Sequence, residues 1–172
     1  LPLPASGETL DEALEALNAA SWEELGWSCV DCCVPSLADA ITESEDLQGI
    51  LTIAQLWNTI GPGNFPCYKA VLESIGCDTL EAAAEIAGHL DAYLLFPQIA
   101  PPAELARTEL DAAVTGPLSK ALYDHVDLYA LGQDLLRMKN YRLSSYGLIQ
   151  RWNGQPLHSY GNPEPAHGIE LR

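Results

Sequence analysis

Hydrophobic residues recur at helical spacing over much of this 172-residue chain, and each break in the spacing carries a turn signal. Leu10, Ala13, Leu14 and Leu17 share one face of a helix predicted over 9–19, with Thr9 and Glu12 as its capping box. "LPLP" before it reads as a short edge strand, where Pro is tolerated. "LGWSCVDCCVP" is rich in strand formers and ends at Pro35, so a strand is expected over 26–34. A short helix follows from Ser36, with Leu37, Ala40 and Ile41 inward. Leu47, Ile50, Leu51, Ala54 and Trp57 then mark a helix that "GPGNFP" stops. "CYKAVLESIG" is the next helix, with Gly76 at its C-terminal cap, and Asp78 with Glu81 opens another over "TLEAAAEIAGHL".

Beyond residue 90 the texture changes. "DAYLLFP" predicts a strand, and "PPAELARTELDAAV" and "LSKALYDHV" predict helices separated by "TGP". "DLYALGQDLLRM" is a further helix, although an interior Gly132 costs it about 1 kcal/mol against Ala. "YRLSSYGLIQRWNGQPLHSY" alternates, and Asn153-Gly154 signals a type I′ hairpin. The expected fold is α+β and elongated. It comprises a small α/β unit (1–45), a helical middle (46–90), C-terminal helices with a β-hairpin sheet (91–160) and a flexible tail (161–172). No internal repeat of fixed period is visible.

Composition adds a strong asymmetry of charge. The net charge is −16, and the first Lys or Arg is Lys69. Residues 1–111 hold 19 acids and 2 bases, whereas 112–172 hold 5 acids and 6 bases. Apolar residues are 48% of the chain, enough for a packed core and too many for a disordered acidic tail. Such a surface repels nucleic acid and anionic membranes and attracts basic partners in a salt-dependent way. No apolar run is long enough for a membrane span. "LPLPASGETLDEA" lacks the basic and long apolar regions of a signal peptide. A cytoplasmic protein with reduced thiols is expected. The missing initiator Met fits a processed product or a segment of a longer protein.

Catalytic and metal signatures are thin. Cys29-Val-Asp-Cys32-Cys33 contains one C-x-x-C, but Cys67 and Cys77 supply no matching second pair for zinc. In the predicted strand these cysteines read as small core hydrophobes. His89, His125, His158 and His167 are scattered, G-x-S-x-G is absent, and "GPGNFP" lacks the Lys and Ser of a phosphate loop. The expectation is a non-enzyme without cofactor or metal. Trp57 lies on an apolar helical face, and Trp22, in an acidic stretch, is the tryptophan expected at a surface contact.

The acids themselves carry the candidate site. Glu8, Asp11, Glu12 and Glu15 place four charges over about 10 Å of helix at ~1.5 Å per residue. That is about one per 3 Å, close to the ~3.4 Å per phosphate along a DNA strand. Glu23, Glu24, Asp39, Glu43, Glu45, Asp46, Glu81 and Glu85 extend the set. Helix surfaces ordinarily mix signs and gain from i,i+4 pairs, so an unmixed run repels itself without compensation.

"VDLYALGQDLLRMKNYRLSSYGLI" resembles the last module of ArdA-type antirestriction proteins. Asp127, Tyr129, Gly132 and Asp134 fill the helix positions of that pattern, and Tyr146, Gly147 and Ile149 fill its strand. "CDTLEAAAEIAGHLDAYLLFP" is similar to the family's helix-then-strand segment, and "LPLPAS" with its acidic helix to the opening of ArdA-like modules. Gln133 stands where the family has Arg, and Ser144-Ser145 where it has Thr-Glu. The resemblance implies three small modules, usually a dimer. It also implies mimicry of bent B-form DNA in the DNA groove of type I restriction–modification enzymes. An acidic interaction or scaffold module of a larger mobile-element protein, binding a basic peptide, is the alternative.

Overall fold

The computed structural model describes residues 1–44, 46–113 and 123–157. In chain order the elements are α1 (Gly7–Leu17), α2 (Ala38–Glu43), α3 (Leu47–Thr59), α4 (Phe65–Ile75), α5 (Leu80–Gly88), β1 (Tyr93–Phe96), α6 (Pro102–Ala113), α7 (Leu128–Met138), β2 (Arg142–Ser144) and β3 (Gly147–Arg151). Short 3-10 turns lie at Trp22–Glu24, Pro35–Leu37 and Leu90–Ala92. The fold is α+β, with one three-stranded antiparallel sheet of order β1-β3-β2.

The sheet separates two apolar layers. Successive residues of a strand face opposite ways, and β3 uses both faces. Ile149 enters a cluster built on α4, with Tyr68, Val71 and Leu72 at its centre, Ile53 from α3, and Ala82, Ala83 and Ile86 from α5. Leu148 enters a second cluster with Ile99 and Leu105, against which Leu135 and Leu136 of α7 pack. Register keeps cross-strand partners together: Leu95 opposes Ile149, and Phe96 opposes Leu148. Helices α3 to α5 therefore cover one face, and the α6–α7 pair covers the other. Val34, Leu37 and Leu157 belong to the same large cluster, so segments from all three expected modules share one core.

The helical middle follows the sequence pattern, including the stop at Gly76 in the left-handed region (φ 65). Buried Tyr68 ties three helices of that layer. Its hydroxyl accepts from Trp57 Nε1 at 3.0 Å and donates to the Ala83 carbonyl at 3.0 Å. Tyr68→Phe leaves an indole N–H and a buried carbonyl without that partner, and is expected to lower stability by about 1–3 kcal/mol in urea unfolding. An unchanged midpoint would remove this role.

Four expectations change. Residues 1–6 and 25–34 form no strand, so the N-terminal unit is helical and irregular rather than α/β, and the cysteine segment is a loop. Ser6, one turn before Thr9, caps α1 by accepting from Thr9 N at 3.2 Å. Thr79 replaces Asp78 as the cap of α5. The hairpin turn is Ser145-Tyr146, between Ser144 and its partner Gly147, and not Asn153-Gly154, which closes the end of β3 through Gly154 N to Arg151 O. Most of the helix expected over "LSKALYDHV", residues 158–160 of the expected Asn153-Gly154 hairpin and the tail from 161 lie outside the described residues.

Burial also sets a pH limit. Desolvation raises Tyr68 to about 12 and Cys32 to about 11, and raises Cys77, Cys67 and Tyr93 in the same direction. Each native-state pKa lies above its unfolded value, so above pH 9 the native state holds the more protons. The stability these groups contribute is complete below about pH 9 and is lost as pH rises through 11 to 12. The urea midpoint should be level to about pH 8.5 and then fall; a level profile to pH 11 would contradict it.

Candidate functional site

Helix α1 presents its acids as a stripe. Positions 8, 11, 12 and 15 follow i, i+3, i+4, i+7, so Glu8, Asp11, Glu12 and Glu15 occupy one face. All four are exposed. The opposite face carries half-buried Leu10, Ala13 and Leu14, while Leu17 is 60% exposed and no α1 residue is fully buried. The helix is thus a shallow-seated carrier of charge. Glu8 in its first turn complements the helix dipole; the other three rely on solvent.

The remaining candidates sit on turns and helix starts. Glu23 and Glu24 belong to the 3-10 turn Trp22–Glu24, with Glu24 Oε2 accepting from Ala20 N at 3.1 Å. Asp39 lies in the first turn of α2, Glu43 at its end, and Asp46 just before α3. Gly49 makes room for the Asp46 carboxylate, since a Cβ there would sit 2.6 Å from Oδ2. Glu81 and Glu85 lie on α5, one turn apart, and both are exposed. Glu45 lies outside the described residues.

The ion pairs lie elsewhere in the fold. Among the described residues, ion pairs join Arg137 to Asp134 at 2.7 Å and Lys139 to Glu109 at 2.5 Å, all in the C-terminal half. Lys69 stacks over Phe65 and Tyr146, and Arg107 over Tyr123. Glu8, Asp11, Glu12, Glu15, Glu23, Glu24, Asp39, Glu43, Asp46 and Glu81 meet no Lys or Arg among the described residues.

Packing of α3 beside α5 assembles something the linear pattern did not show. A cleft of about 560 Å³ has Glu43 and Asp46 on one side, Asp78 and Glu81 on the other, and Ile53 and Leu80 among its lining. Asp78 was expected only as a helix cap; its proximity to 43–46 depends on a tertiary contact. Such a cleft offers several carboxylates and apolar surface, which suits the head and stem of an Arg or Lys side chain.

Family models, curated proteins and solved structures were compared with the chain. None matches it.

One further grouping bears on chemistry. Trp22, Trp27 and Trp57 line one cavity of about 540 Å³ with the Cys29–Cys33 loop, and Trp152 stands exposed elsewhere. Trp22 is half-buried in that wall rather than on an open surface. Among the described residues no three His, Cys, Asp or Glu side chains converge as a metal site, and no helix is long and apolar enough to cross a membrane.

Proposed function

We propose that this protein is a cytoplasmic DNA mimic that inhibits type I restriction–modification enzymes by occupying their DNA-binding groove, without catalysis or cofactor. One observation carries the reading: the exposed acids described within residues 1–46, with Glu81, have no cation beside them among the described residues. A folded protein that leaves its carboxylates unmatched accepts mutual repulsion. A partner rich in Arg and Lys relieves that repulsion on binding, as it does when it binds phosphates. The helical stripe on α1 supplies the density, and the ArdA resemblance supplies the target class.

Competition tests this directly. Added to a type I methyltransferase bound to labelled duplex DNA, the protein should displace the DNA, and displacement should weaken steeply with added salt. DNA that stays bound at excess protein in low salt would end the proposal.

A second reading, an acidic module that holds a basic peptide, draws on the cleft between α3 and α5. It predicts that an Arg-rich peptide binds with no displacement of DNA from the enzyme.

A further inference from the structure

Three thiols fall within five residues of an irregular loop. Cys33 is exposed and Cys29 and Cys32 are half-buried. Cys29 and Cys32 line one cavity together, and the Cys29 thiol is among the groups that raise Cys32. Their present bonds are weak and local: Cys29 Sγ donates to Asp31 O at 3.7 Å and Cys32 Sγ to Val34 O at 3.1 Å. The loop is anchored at both ends, by Cys29 N donating to Thr42 Oγ1 at 3.0 Å and by buried Val34 in the core. Between the anchors Val30 is 94% exposed, so nothing packs over the bend. Neither a strand nor a helix would have to break for the two sulfurs to join.

We propose that Cys29 and Cys32 are a reversible dithiol–disulfide site whose substrate is a low-molecular-weight disulfide of the glutathione type. The Cys29 thiolate attacks one sulfur of that disulfide and expels the first small thiol, leaving a mixed disulfide on Cys29. The Cys32 thiolate then attacks the Cys29 sulfur and expels the second. One disulfide is reduced to two thiols, one dithiol is oxidised to one disulfide, and the two protons from the cysteines pass to the released thiols. Burial and its thiol neighbours raise the Cys32 thiol, so Cys32 acts second, through the small thiolate fraction that meets a mixed disulfide already beside it. Adjacent Cys32 and Cys33 are a poor pair, because their Cα atoms are about 3.8 Å apart against the usual ~4.4–6.8 Å. Cys67 on α4 and Cys77, whose Sγ donates to Thr79 O, have their own settings. The site is independent of the acidic face and of its proposed target.

The full chain, equilibrated at pH 8 in glutathione buffers of graded oxidation, then alkylated and mapped by mass spectrometry, tests this. A Cys29–Cys32 bond is expected in the native protein at an oxidised-to-reduced ratio about tenfold or more below that needed in urea, since folding holds the thiols together. Cys33→Ser should keep the bond, and Cys29→Ser should leave only mixed disulfides. Equal or easier oxidation in urea, mixed disulfides alone in the native chain, or linkage of Cys33 to either neighbour would overturn the proposal.

Discussion

Gly132→Ala is expected to destabilise the protein by about 3 kcal/mol or more, a large share of the ~5–15 kcal/mol of a typical domain. Helix propensity alone predicts the opposite sign, a gain of about 1 kcal/mol. The contact decides. A Cβ at Gly132 would lie 1.9 Å from the Pro102 carbonyl oxygen, 2.4 Å from its carbon and 2.9 Å from its Cα. All three are backbone atoms, so no rotamer change relieves the clash, and α6 and α7 would have to separate. Their pairing is also where Lys139 meets Glu109 and where Leu105 packs beneath the sheet. Gly88→Ala is the control: it ends α5 with nothing within 4 Å of its Cβ position, and should be neutral or slightly stabilising. Urea unfolding of both variants checks the pair, and a Gly132→Ala midpoint at or above wild type would refute the close approach.

That glycine shows how far the chain is legible without its fold. Gly132 reads from sequence as a weak point in a helix; its reason is a neighbouring backbone some 30 residues away. Helices α3 to α7 and strand β1 were readable because each pairs an apolar periodicity with a local stop or start, such as Gly76 or Asp127. The 26–34 strand was misread because strand propensity reflects packing in a sheet. The only sheet described is completed by β1, β3 and β2, and this segment instead sends Val34 into the core and leaves Val30 in solvent. Asn153-Gly154 failed as a hairpin for a related reason. A type I′ turn needs a strand on both sides, and β3, already paired on both edges, gives way to a chain that runs on to buried Leu157. The α1 cap slipped by a turn because Ser6 and Thr9 both fit the signal, and their hydroxyls share a 2.8 Å hydrogen bond. Of the candidate site, the α1 stripe was legible from spacing alone. The cleft was not, because it joins 43–46 to 78–81 through helix packing.

Neutralising the α1 stripe as a block, with Glu8, Glu12 and Glu15 changed to Gln and Asp11 to Asn, is expected to weaken inhibition of a type I enzyme by about four- to a thousandfold. The estimate takes each exposed charge pair with the partner as ~0.2–1 kcal/mol. Single changes should then cost about fivefold or less, and the salt dependence should flatten stepwise as charges are removed. Stability should move the other way. Among the described residues these side chains make no ion pair, and removing like charges three and four residues apart relieves about 0.2–0.5 kcal/mol per pair. Tighter folding with weaker binding separates a recognition surface from a structural one, since damage to the fold would lower both. The cleft offers the comparison. Neutralising Glu43, Asp46, Asp78 and Glu81 together should reduce competition with DNA by a similar factor if the whole acidic face meets the enzyme. If that block alone abolishes binding of a basic peptide while the α1 block leaves every measured affinity unchanged, the carboxylates act as a pocket for cationic side chains rather than as a phosphate-like array, and the DNA-mimic proposal fails. A single Glu→Gln on α1 that removes all inhibition would refute it as well, because an array acts through the sum of its charges and no one member can be indispensable.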